Sequence, residues 1–501
     1  MLASSRWVVI AALATMLVHG CHRSAVPLDA NGGDTDTDSD TDSDTDSDAD
    51  SDSDTDADTD TGTDTGADDS SNLGLEFLGV HLDNNVEDHP YALAVVNPGE
   101  VIAHVTFEEH TESGWLVIEE IGISQGESYA VELGSFAVGG SYHLPNRAYR
   151  VTSNEPIAAY QFKPYHGLGP DEDPICSNDG TALIPTEQLG LHYTALAYTS
   201  QIDGSTVSIV ATVDETAVTV TAAVAIEQGL NVPWFLAGDT ETFAMTVGDV
   251  LVLKSDNDVS GTVIEANQPI AVFGGSPCSN VPADVTFCDH LEHQLFPMVS
   301  WGSEFVAARS PVRSNDPPWE KDYWKVVAAE EGTCIETEPP VPGLDGIMLA
   351  AGQVAEAGTD ISFTISASAP IMVGQFLTGQ SATDIEFEDN GGDPAFALLT
   401  PVEQYRDVHT LFVPPEYGVS YAVITYPFGA TPVLDGEPIS TDPDCEIGEN
   451  NGAYEVARCV VEFGGHVVEA DQPIAVVVWG YGSRVSYGYT AGFGLAALNE
   501  D

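Results

Sequence analysis

The residue types best able to do chemistry crowd into Cys288-Asp289-His290-Leu291-Glu292-His293. Thiolate, carboxylate and imidazole are zinc ligands, and zinc takes three or four of them at fixed distances. His290 and His293, three apart, would share one face of a helix. No fourth ligand is apparent and Cys288 is better used in a disulfide, so the stretch reads as a polar loop between repeats. Asp289, His290 and His293 are kept as metal candidates. Asp179, Asp289 and Asp393 each stand six to eight residues ahead of a recurring proline. Their carboxylates, with nearby carbonyls, are of the kind calcium takes, although Asp serves more widely in turns and caps. No cofactor is called for, and calcium is the one these residues would suit. Gly122-Ile123-Ser124-Gln125-Gly126 fits G-x-S-x-G, a pattern that presents a nucleophile only on a strained strand-to-helix turn. Here another strand, ESYAVEL, follows, and the sequence has no H-E-x-x-H and no phosphate loop. The chain therefore reads as a non-enzyme. In the Pro-rich stretch SNDPPWEKDYW, Trp319, Tyr323 and Trp324 offer an aromatic platform for a sugar or a protein side chain. This loop is the first choice for a binding surface. Of the tryptophans spread through the repeats at most one is expected to touch ligand, and the others to fill core.

The elements that must position these residues repeat. VTSNEPIAAYQF at 151–162 returns as IEANQPIAVFGG at 264–275, ISASAPIMVGQF at 365–376 and VEADQPIAVVVWG at 468–480, with Pro156, Pro269, Pro370 and Pro473 spaced 113, 101 and 103 residues apart. Apolar residues at every second position bury one face of a strand. A proline there opens a strand or sits at a bulge, because it cannot donate to a ladder. Before each copy lies an apparent hairpin, as in SIVATVDETAVTVT at 208–221, KVVAAEEGTCIET at 325–337 and AVITYPFGATPVL at 422–434. After the first three copies come ALIPTEQLG, QLFPMVSWG and ALLTPVEQYR, whose Pro185, Pro297 and Pro401 follow at 29, 28 and 31 residues. Three elements in one order at one spacing mark a duplicated unit of about a hundred residues. The expected fold is all-β, about four tandem β-sandwich-like repeats packed together (about 79–190, 191–302, 303–406 and 407–501), with a β-propeller or ring-like closure as the alternative.

Composition limits the partners. The 501 residues carry 13 Lys and Arg against 80 Asp and Glu, a formal charge of −67. Nucleic acid and anionic membrane surfaces need clustered cations and are poor partners for this balance. Residues 1–21 read as a lipoprotein export signal, an apolar run ending in Val18-His19-Gly20-Cys21, with Cys21 as the lipidation site and the membrane reached through that anchor alone. From 22 to 72 runs an Asp/Ser/Thr tether whose like charges keep it extended; the globular part is 73–501. An even set of six further cysteines in an exported chain reads as disulfides. Cys278 with Cys288 and Cys445 with Cys459 would each pin a loop, while Cys176 and Cys334 remain for a bond between repeats.

CSNDGTALIP at 176–185, GTVIEANQPIAVFGG at 261–275, CDHLEHQLFP at 288–297 and GDPAFALLTPVEQYR at 392–406 together resemble the IgGFc-binding protein N-terminal domain family over roughly 75–500. The resemblance implies an extracellular binding or adhesive module, of a kind found on bacterial surfaces behind acidic linkers. It does not carry over IgG binding, for which no residue motif can be matched here. The expected function is a surface-anchored, non-catalytic binding or adhesion protein at a bacterial outer membrane or cell surface, recognising an extracellular glycoprotein or polysaccharide. The alternatives are an exported metal-dependent hydrolase and a purely structural envelope protein.

Overall fold

One strand serving two sheets explains the recurring proline. In the computed structural model the strand Ala148–Lys163 pairs before Pro156 with Gly74–Val80 and Ala103–Thr111, and beyond it with Tyr91–Val96 and Asp179–Ala182. Phe363–Phe376 and Gly464–Gly482 divide their partners in the same way at Pro370 and Pro473. In the second unit the strand is broken at the corner, into Val263–Ala266 and Ile270–Ser279. Ile157, Ile270, Ile371 and Ile474, just past the prolines, are fully buried, as are Val151, Ile264, Ile365 and Val468 before them. A missing N–H at a corner between two ladders costs neither ladder a bond, which is why proline is tolerated there. The structure describes residues 71–85, 90–134, 138–167, 177–199, 203–315, 320–386, 390–450 and 453–499. The signal at 1–21 with Cys21, the tether up to residue 70, Cys176 and Trp319 lie outside them.

The result is all-β, with four two-sheet, sandwich-like units in tandem. The apparent hairpins are not hairpins. Ser205–Ala211 pairs with Val250–Ser255 and Ile270–Ser279, whereas Thr216–Thr221 pairs with Thr240–Met245 and Val263–Ala266. The turn at Asp214-Glu215, with Glu215 at φ 60°, carries the chain from one sheet to the other. Alternation in the sequence marks each strand correctly but says nothing about its partner.

Between units the recurring proline caps a short 3-10 turn: Pro185 before Thr186–Gln188, Pro297 before Met298–Ser300 and Pro401 before Val402–Gln404. Each proline packs on a glycine at the start of the unit it closes. A Cβ on Gly74, Gly190 or Gly302 would lie 2.5, 2.5 or 2.4 Å from the Cβ of Pro185, Pro297 or Pro401. These glycines are required by close approach, not by backbone conformation.

The units close on themselves. The last strands of the four, Asp179–Ala182, Asp289–Gln294, Phe396–Leu398 and Val485–Thr490, are buried along their whole lengths. The first lies against the second and fourth, and the third lies against the same two. Four sandwich-like units thus ring a common centre. Tyr160, Phe162 and Tyr165 of the first unit pack there against Phe412, Tyr487 and Tyr489 of the fourth, and the Tyr160 hydroxyl donates to the Thr410 carbonyl at 2.9 Å.

Candidate functional site: a cleft between the third and fourth units

The residues first suspected of metal binding lie buried about the ring centre. Asp179 accepts N–H from Gly180 and Gly488 at its Oδ1 (2.9 and 3.0 Å) and from Glu292 and Phe396 at its Oδ2 (3.0 and 3.1 Å). One carboxylate thereby ties the last strand of its own unit to those of the other three. Burial pushes its carboxyl up, and the four N–H donors pull the other way. Asp289 accepts from the Asn178 and His290 backbones. Asp289–Gln294, expected to be a polar loop, is a fully buried strand, so His290 and His293 fall on its opposite faces rather than on one helix face. His290 Nε2 faces Glu292 at 3.3 Å and His293 Nδ1 faces the Gln294 carbonyl at 2.7 Å. Burial lowers the two imidazoles to about 3 and about 4. Among the described residues no three His, Cys, Asp or Glu side chains gather as a metal would need.

Asp393 accepts the Gln380 N–H at 3.1 Å, and burial pushes its carboxyl from 3.8 to about 7. The folded chain therefore holds a proton there that the unfolded chain releases. That contribution to stability is complete at low pH and falls as pH rises from about 4 to about 7. Asp393→Asn should remove this part of the fall. Denaturant midpoints of the two proteins across that window check it, and a constant difference between them would overturn the assignment.

The disulfides Cys278–Cys288 and Cys445–Cys459 are formed, with Cα separations of 5.2 and 3.9 Å, and Cys334 is disulfide-bonded as well. Trp324 is a core residue, fully buried against Phe363, which removes it from any ligand platform. Tyr323 is half-buried and packs over Gly358. Among the described residues, Trp234 is the exposed tryptophan, at 59 %. The beginning of the Pro-rich stretch nevertheless borders an open site, through Ser314 and Asn315.

That site is a cleft of about 1220 Å³ between the third and fourth units. One wall is a strand face of the fourth unit, Tyr454, Val456, Arg458 and Val460 at alternate positions. The extra strand Cys445–Asn450, pinned to it by the 445–459 disulfide, extends that wall. It lies between Glu437–Pro438 and Tyr454–Val461, where the other three units run directly from one strand to the next. The facing wall comes from 306–315 and 360–362 of the third unit. Arg458 Nη2 donates to the Arg309 carbonyl across the gap at 2.9 Å. Nothing in the sequence singled out this cleft; the cue available was the alternation through Tyr454–Val460 beside the Cys445 loop.

Comparison with known proteins places the chain. Residues 179–480 match the family described as IgGFc binding protein. A human protein named IgGFc-binding protein is 25% identical over 328 residues, which is 64% of this chain and 6% of that protein. The chain thus spans a small part of this relative's length. A solved structure titled "Crystal structure of tetra-tandem repeat in extending region of large adhesion protein" aligns with 85% of this chain and 100% of its own at 11% identity, with a TM-score of 0.09, too slight a likeness to bear on the fold. The family match begins at Asp179, the carboxylate at the ring centre, and runs through the last of the Pro-Ile strands, and on that match the chain belongs to the IgGFc binding protein family.

Proposed function

We propose that this protein is a non-catalytic binding module displayed outside the cell, and that the cleft between the third and fourth units takes hold of an extracellular protein segment or a glycan. The observation that carries the reading is the cleft itself. At about 1220 Å³ it exceeds the ~300–1,000 Å³ common for small-ligand pockets and suits a chain-like ligand. Membership of a family described by binding supports it. So does Gly122–Gly126, which turns one strand into the next, the bond from Glu127 N–H to the Ser124 carbonyl (3.1 Å) closing the turn. A serine there lacks the strand-to-helix elbow of a hydrolase. Display would come from lipidation at Cys21, with the acidic stretch 22–72 as spacer.

Gly448 gives the test. It lines the cleft, and a Cβ built on it meets nothing within 4 Å. Gly448→Trp should fold as the parent does and fill the groove. The full chain would be screened against extracellular proteins, IgG Fc among them, and against glycans. Whatever the parent binds, the variant should bind at least about tenfold more weakly, a loss of about 1.4 kcal/mol. Unchanged binding of every ligand would remove the cleft from the reading.

A further inference from the structure

We infer that the cleft's ligand is an acidic saccharide, seated with its carboxylate on Arg309 and Arg458. This rests on the reading of the cleft as the binding site. Two of the chain's 13 cationic side chains line one groove in a protein of formal charge −67. Three other buried or half-buried cations meet carboxylates: Arg150 meets Glu108 at 2.7 Å, Arg313 meets Glu320 at 3.5 Å and Lys325 meets Asp258. Arg309 meets none. It is 2% exposed, its Nη2 donates to the backbone carbonyl of Glu320 at 2.6 Å, and its Nε has no hydrogen-bond partner. A buried guanidinium without an anion is costly to maintain, and a planar carboxylate is the group its fork fits.

The rest of the lining selects among carboxylates. Asp360, Asp444 and Glu446 share the groove with the two arginines. They would repel an acidic peptide, whose charges repeat along its length, but they accept hydrogen bonds from sugar hydroxyls. Tyr421 and Tyr454 add aromatic surface, which the C–H faces of pyranose rings pack against. One anionic group among many hydroxyls satisfies cations, acceptors and aromatics together.

The experiment uses the full chain and paired probes: otherwise neutral oligosaccharides carrying a single galacturonate, glucuronate or sialic acid residue, each beside its methyl ester, with affinity measured by calorimetry at low and moderate salt. At least one acid should bind about tenfold or more tightly than its ester, the worth of a charge-assisted hydrogen bond. Its affinity should fall with salt. Arg458→Gln should abolish the preference while leaving the ester's affinity within about twofold. Arg309→Gln is buried and is used only as a second variant, after its folding is checked by circular dichroism. Acids and esters binding alike, both lost in Gly448→Trp, would overturn the acidic-saccharide inference and keep the cleft. An acidic peptide binding in place of every saccharide would overturn it too. Binding that Gly448→Trp leaves intact would overturn the cleft reading, and the inference with it.

Discussion

Asp179→Ala should destabilise the folded chain by about 4 kcal/mol or more, the largest single-residue effect expected here. Four backbone N–H groups converge on this carboxylate, from Gly180, Glu292, Phe396 and Gly488. Each buried donor left without an acceptor costs roughly 1–3 kcal/mol, and the low end summed over four gives the estimate. The donors belong to the last strands of all four units, so the loss falls on the ring as a whole rather than on one sandwich. Asp179→Asn should recover only part of it, because an amide offers one acceptor oxygen where two are used and turns its NH₂ toward two N–H donors. Denaturant unfolding followed by circular dichroism reads both variants. An Asp179→Ala protein within about 1 kcal/mol of the parent would mean that the four bonds contribute little and that aromatic packing alone closes the ring.

The ring centre also marks where the sequence stopped being legible. The period at Pro156, Pro269, Pro370 and Pro473 was readable because a strand shared by two sheets must bury the same positions in every copy, and burial writes a pattern. Asp289–Gln294 wrote a misleading one. Asp, His, Leu, Glu, His, Gln reads as solvated, yet every residue of it is buried. Its backbone N–H groups meet acceptors brought from distant parts of the chain: the Ser177 hydroxyl accepts the His290 N–H at 2.8 Å, and the Thr181 hydroxyl accepts the Gln294 N–H at 3.0 Å. Both partners stand 113 residues away, one unit back. A polar strand can be buried when the neighbouring unit supplies its hydrogen bonds, and composition alone cannot reveal that supply. The cleft was hidden for a related reason. It depends on a strand inserted in one unit facing a loop of another, and Arg309 and Arg458, 149 residues apart, carry no common motif.

Trp324 illustrates the opposite case, a signal that was present and outweighed. Aromatics beside a Pro-rich stretch suggested a platform, but Trp324, Val326 and Ala328 alternate with Tyr323, Lys325 and Val327, and Trp324, Val326 and Ala328 share one hydrophobic cluster. The ring packs edge-on to Phe363 at 5.4 Å between centroids. Trp324→Ala should therefore cost about 3–5 kcal/mol, as expected for emptying a large aromatic site. Its Nε1 has no hydrogen-bond partner, so Trp324→Phe forfeits volume but no bond and should cost clearly less. Midpoints of unfolding for the two variants, alongside ligand affinity measured where both are folded, separate packing from contact. The structure predicts shifted midpoints with unchanged affinity. A Trp324→Ala protein that keeps its midpoint and loses its ligand would place the indole back on the binding surface, and with it the third unit's strand Asp322–Ala328 would have to turn its other face to the core.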